Sequence, residues 1–339
     1  MSVNAIWEAI KDLAQSFHAA TIFPSFLLVL VHYYWVLPVL FPNFDPTSGA
    51  SIAIAIALVL LFSYTFYAFN YPLIRLVEGY KLNEFILLRP LLLPFRNLHR
   101  ERHQKLIADI KYARTQRDLV GNDPKTVGAD AKPLSEIPEW NYWNHRLAEL
   151  QMVFDRDYPG SGEALLPTSL GNIIAAFEDY PRKRYGIESV AVWPRLLPIL
   201  KSSGYLEFIA REKAVFDFML NTGLVTTALG VELFYLNAYA GDGLIALGLL
   251  AVTLVICLIF YNGLVLAARQ WGMTVRVAFD LYRHKLYWLL GLQTVENFEQ
   301  EFSVWQKLSE MYFCRPPRAE FSYFASVAEV VGRQQESDI

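Results

Sequence analysis

Apolar and polar positions fall in long blocks along this chain. Four blocks, at about 20–41, 51–74, 217–240 and 243–268, are apolar and free or nearly free of charge. Each matches the roughly 20 apolar helical residues needed to cross a bilayer. The first lies between Asp12 and Asp45, the second between Asp45 and Arg75, and the fourth between Asp242 and Arg269, with no charged residue inside any of them. The third carries one ionisable side chain, Glu232.

Outside these blocks the pattern changes to helical periodicity. Val3, Trp7, Ile10, Ala14 and Phe17 predict an interfacial N-terminal helix within 1–19. An extension of the first span fits the same positions. FILLRPLLLPF, 85–95, is too short to span and contains Arg89, Pro90 and Pro94, which predicts a segment at the interface. A basic helix is expected from Asn97 to Leu119, and Val120 to Pro138 has the Gly, Pro and Asp content of a linker. Trp140, Trp143, Leu147, Leu150 and Phe154 form one amphipathic stripe. Thr168 is the expected N-cap of a helix that packs Leu170, Ile174 and Phe177 and that Pro181 should end. Pro194 and Pro198 predict short broken pieces, with a strand at 190–193 as an alternative. The fourth span is expected to continue as a helix, with Val275, Phe279, Tyr282, Leu286 and Leu289 on one face and Gly291 as its stop. A last helix carries Phe298, Phe302, Trp305, Leu308 and Tyr312, and the final residues read as frayed.

These elements define an all-α membrane protein with four transmembrane helices as two hairpins. The expected divisions are 1–19, a hairpin at 20–74, a helical insert at 75–216, a second hairpin at 217–268 and a tail at 269–339. Neither the insert's apolar stripe nor the tail's can be left in water, so the two are expected to assemble into one mostly helical cytoplasmic domain.

Composition agrees. Of 339 residues, 54% are hydrophobic, more than ordinary soluble domains carry, yet 19% are charged. The Lys and Arg residues orient the chain: one precedes the first span, 21 lie between Arg75 and Lys213, and eight lie from Arg269 onward. None lies in the connections at 42–50 and 241–242. The positive-inside bias therefore places both termini and the insert in the cytoplasm of a multi-pass inner-membrane protein. The N-terminus, with Lys11 as its single base, lacks the pattern of a cleaved leader. Cys257 and Cys314 are not expected to pair.

Candidate chemistry concentrates in the spans. A carboxylate near the bilayer centre costs about 2.5–3.5 kcal/mol on insertion scales, so Glu232 must face water, hydrogen-bond a neighbouring helix or reach the outer interface. The small residues before it, including Gly223, Thr226, Thr227 and Gly230, suit close helix packing and a pore wall equally. His32 is the other intramembrane titratable group. Both spans run outward, so it can reach a similar depth and pair with Glu232. Asn70 and Asn262 occupy matching places near the ends of YAFNYPLIR and FYNGLVLAAR. With Asn221 they suggest a polar ring at the inner mouth.

Seven Lys and Arg residues lie from Arg96 to Arg117, against two acids, Glu101 and Asp109. Arg96, Arg100, Arg102 and Lys105, with Arg182, Lys183 and Arg184 of PRKRYG, are candidates for contact with lipid headgroups or another anion. A solvated helix face and an orientation signal explain the same residues. His99 and His103 share a helix face, but HRERH is not HExxH, and neither a metal nor a cofactor is expected. GSGEALLPTS lacks the order of a phosphate loop, and no catalytic nucleophile or acid–base arrangement is legible.

The order of two spans, large helical insert, two spans and helical tail resembles that of bestrophin-type anion channels. The resemblance is one of layout, without that family's motifs, and carries over no residue role. Four spans enclose little space alone, so a water-filled path is expected at the axis of a homo-oligomer. The sequence thus points to a channel or channel-like effector, with a non-conducting scaffold that recruits a cytoplasmic protein as the alternative. Lipids are expected partners; catalysis and nucleic-acid binding are not.

Overall fold

The computed structural model describes residues 19–41, 43–80, 89–122, 133–292 and 295–313. The predicted helix at 3–17, most of the 120–138 linker and the frayed C-terminus lie outside them. Among the described residues the chain is all-helical, without strands. In order, the helices are α1 (Ala19–Val31), α2 (Gly49–Ala68), α3 (Asn70–Glu78), α4 (Arg89–Gly121), α5 (Pro138–Asp157), α6 (Ser169–Tyr185), α7 (Ser189–Ser202), α8 (Tyr205–Tyr239), α9 (Gly243–Leu289) and α10 (Phe298–Phe313). They fall into two compact units, Met1–Leu76 with Ile209–Trp271, and Val77–Phe208 with Gly272–Ile339.

The first unit holds the apolar segments. Three helices, α2, α8 and α9, are long and apolar enough to cross a membrane. The segment expected as the first span is less regular. α1 gives way to a π turn, His32–Val36, and then to a last helical turn, Leu37–Leu40, with Pro38 at its start. α1 and α2 meet at small buried hydroxyls: Ser25 and Ser63 both donate to the Thr21 carbonyl, at 2.8 and 3.4 Å. Tyr33 donates to the Pro46 carbonyl at 2.7 Å and ties α1 to the connection before α2.

α8 and α9 approach through glycine. A Cβ on Gly230 would lie 2.1 Å from Thr253 Oγ1, and one on Gly223 would lie 3.1 Å from Phe260 Cβ. Lipid is as apolar as leucine, so spans associate by close packing, which small residues allow. The glycines of the α8 stripe therefore serve the hairpin rather than an open wall.

In the second unit, Ala113 of α4 packs with Leu147 and Leu150 of α5, flanked by Leu106, Ile110 and Trp143. α6 is buried continuously from Leu170 to Phe177. α10 packs on α6 and α7, with Trp305 fully buried, so the tail completes a core begun in the insert.

The helices depart from three expectations. Pro181 lies inside α6, which ends at Gly186, φ 75°. There the Gly186 and Ile187 amides donate to the Arg182 and Pro181 carbonyls, at 3.0 and 3.1 Å, closing a left-handed cap that only glycine adopts at low cost. Pro194 and Pro198 break nothing: α7 runs through both, and 190–193 is helical. Both prolines lie on its exposed side, while Val192, Leu196, Ile199 and Leu200 face the core. α4 starts at Arg89 rather than near Asn97 and continues through Pro94.

Thr168 caps α6, its Oγ1 accepting from the Gly171 amide at 2.9 Å and donating to the Glu78 carbonyl at 2.8 Å. Thr168→Ala should cost about 1–2 kcal/mol, read as a lowered thermal midpoint in detergent. Thr168→Ser, which keeps the oxygen, should recover most of it.

Candidate functional site

Glu232 and His32 come together. Their side chains are one-third exposed, 35% and 36%, and His32 Nε2 lies 3.2 Å from Glu232 Oε2. The other ring nitrogen, Nδ1, is 2.9 Å from the Leu28 carbonyl. A carbonyl only accepts, so Nδ1 carries a hydrogen and Nε2 is left for the carboxylate. The 3.2 Å contact then needs one proton between the two side chains, held as imidazolium and carboxylate or as imidazole and carboxylic acid. Either form is net neutral, which lowers the cost of placing the pair in hydrocarbon.

The surroundings differ on the two sides. Next to Glu232, Leu224, Ala228, Val231 and Tyr235 border an open groove of about 620 Å3 on α8. Next to His32, Leu28, Leu37, Leu58 and Phe62 border a smaller one of about 270 Å3 between α1 and α2.

The other polar candidates from the apolar blocks separate. Asn70 Nδ2 donates to Asp217 Oδ1 at 3.0 Å, and Lys213 Nζ donates to Asn70 Oδ1 at 2.9 Å and to both Asp217 oxygens at 2.8 and 2.7 Å. Asn221 is fully buried, its Nδ2 donating to the Ala20 carbonyl at 3.2 Å. Asn262 is exposed and donates to Leu258 within its own helix. Within one chain the three asparagines thus form no ring. Thr226 bonds the Thr222 and Gly223 carbonyls, and Thr227 bonds Gly223 while lying 3.0 Å from Cys257 Sγ. Sequence spacing did not reveal the Asn70–Lys213–Asp217 cluster, although the i, i+4 Lys–Asp pair was visible as a local signal.

The basic candidates lie in the second unit. Arg96 donates to the Glu163 carbonyl, Arg182 pairs with Asp179 and Glu188, and Lys183 lies 3.7 Å from Asp155 and over the Phe154 ring. Arg100, Arg102, Lys105 and Arg184 are exposed. They are distributed along α4 and the end of α6 rather than gathered around one cavity.

His99 and His103 are buried on α4. His99 Nδ1 lies 3.3 Å from the Tyr158 hydroxyl, and the His103 ring meets Phe154 at a tilt and Tyr158 edge-on. Among the described residues no group of three His, Cys, Asp or Glu side chains is placed to hold a metal. Burial, reinforced by Arg102, holds His99 below the ordinary imidazole value. Burial also lowers His103, with a hydrogen bond to the Pro159 backbone opposing and Lys183 assisting. The unfolded chain therefore binds more protons than the folded one below the ordinary value of 6.5. This contribution to stability is complete above that pH and is lost as pH falls through and below it. Unfolding midpoints in detergent should decline from about pH 6.5 downward, and His99→Gln with His103→Gln should flatten that slope.

The site thus consists of the Glu232–His32 contact on an apolar helical scaffold, three of whose helices are long and apolar enough to cross a membrane. No protein family, curated protein or solved structure matches the chain.

Proposed function

We propose that this chain is a homo-oligomeric channel, or channel-like effector, of the cell's inner membrane. In this reading α1 crosses with α2, α8 crosses with α9, and both termini are cytoplasmic, as is the helical domain made by insert and tail. That domain would assemble the ring and receive a signal. The observation that carries the reading is the Glu232–His32 pair, one-third exposed in an otherwise apolar segment beside an open groove. Lipid can cover the leucines and valines around it but offers no hydrogen bond to a carboxylate or an imidazole. Water at an oligomer axis can. The windows of α2 and α9 that would lie in the membrane are only 6% and 11% buried in one chain, which leaves broad faces for neighbouring copies.

Reconstitution of the purified chain in planar bilayers should give discrete conductance, and particle images in detergent should show a symmetric ring with an axial gap. A monomer silent in bilayers would overturn the proposal. Stoichiometric capture of a cytoplasmic protein without ion flux would favour a scaffold.

A further inference from the structure

The two grooves touch different members of the same pair. The α8 groove reaches Glu232, and the groove between α1 and α2 reaches His32. The 3.2 Å contact is a polar link between them. His32 also opens the π turn, a helix irregularity that often marks functional positions.

The lining argues about what could pass. Besides the pair, the linings offer hydrocarbon, tyrosine rings and the Thr227 hydroxyl, which already donates to the Gly223 carbonyl at 2.6 Å. A hydrated metal ion or halide would meet no ring of carbonyls, and at an oligomer axis each copy's Glu232 carboxylate comes already paired with His32 rather than as a free charge to replace a water shell. A proton needs only a base within hydrogen-bond reach. No other charged group lies on the stretches facing the pair: Asp45 and Asp242 sit in the connections, and Asp217 is held by Lys213.

We infer that the permeating species is the proton, and that Glu232 and His32 relay it between the two grooves. This rests on the channel reading. The balance is simple. The pair begins with one proton between Glu232 and His32 Nε2 and one hydrogen on Nδ1; a further proton enters from water at the Glu232 carboxylate, and the Nδ1 hydrogen leaves to water in the groove beside His32. The Nδ1 hydrogen bond to the Leu28 carbonyl holds the ring before transfer and breaks as that proton leaves; rotation of the ring then presents the bare nitrogen to protonated Glu232 and the remaining N–H to Leu28, which restores the starting state. No other bond forms or breaks, and no oxidant or reductant is needed.

The test uses the full chain in proteoliposomes with an internal pH dye, driven by a potassium diffusion potential. Wild type should move protons, and its reversal potential should follow an imposed pH gradient by about 59 mV per tenfold proton ratio. Glu232→Gln and His32→Gln should each lower proton flux at least tenfold while eluting as the same oligomer, and Asp242→Asn should leave it unchanged. If the current follows potassium or chloride and ignores the pH gradient, the proton inference fails and the channel reading stands. Wild-type proton rates in Glu232→Gln and His32→Gln would overturn the relay. A wild type silent to all three ions removes both readings. The reversal potential of wild type gives the answer even where a variant does not assemble.

Discussion

Glu301→Ala should destabilise the second unit by about 3–5 kcal/mol, the largest effect expected from a single substitution outside the pair. Arg283 Nε donates to Glu301 Oε1 at 2.9 Å, and the two side chains are only 12% and 7% exposed. The guanidinium also lies 4.0 Å over the Tyr185 ring and bonds the Asp280 carbonyl, neither of which neutralises its charge. Removing the carboxylate leaves a cation buried without its counter-charge, whereas removing both charges does not. Arg283→Met combined with Glu301→Leu should therefore recover most of the loss. Thermal unfolding in detergent, with the single and double variants side by side, reads this directly. A single variant as stable as wild type would mean that α10 does not hold this carboxylate against α9.

The second large effect is expected in the first unit. Gly230→Ala should cost about 1–3 kcal/mol, because the new methyl would fall within 2.1 to 2.7 Å of three atoms of Thr253. Thr253 cannot turn away cheaply. It is β-branched, with its hydroxyl donating to the Leu249 carbonyl at 2.7 Å. Separation of α8 from α9 is the alternative, and it loses close contact along the hairpin. Thr253→Ala removes two of those three atoms, so it should restore part of the stability of Gly230→Ala. Disulfide trapping between engineered cysteines on the two helices would show whether the spacing has widened.

Much of the helical pattern was legible because burial imposes a period on the sequence. The α5 stripe from Trp140 to Phe154, the Thr168 cap and the buried Trp305 and Leu308 of α10 appear as written in the order of residues, while Phe298 at the start of α10 is exposed. Proline was the main source of error. A proline in a helix removes one donor, but its cost depends on which face it occupies, and Pro194 and Pro198 occupy the exposed one. Sequence spacing does not report that face until the core is known. α6 runs through Pro181 although that proline is buried, and it ends at Gly186, where the backbone turns left-handed.

The candidate site divides along similar lines. The lone carboxylate at Glu232 and the imidazole at His32 stand out from residue type alone, since an ionisable group in an apolar run demands an explanation. Whether the two touch depends on the relative rotation of α1 and α8 about their axes, which chain order leaves open. The rotations of α8 and α9 likewise decide that Asn221 turns to Ala20 while Asn262 faces outward, so three similar residues do not form one ring.

What the sequence determines by itself is the set of apolar segments, the helical character and the identity of the groups that hydrocarbon tolerates least, because length, periodicity and charge are local properties. Tertiary structure decides the partners: that His32 Nε2 and Glu232 Oε2 meet at 3.2 Å, and that the α8 glycines are filled by α9 side chains. Those outcomes depend on the distance and rotation between helices far apart in the chain, which only packing sets.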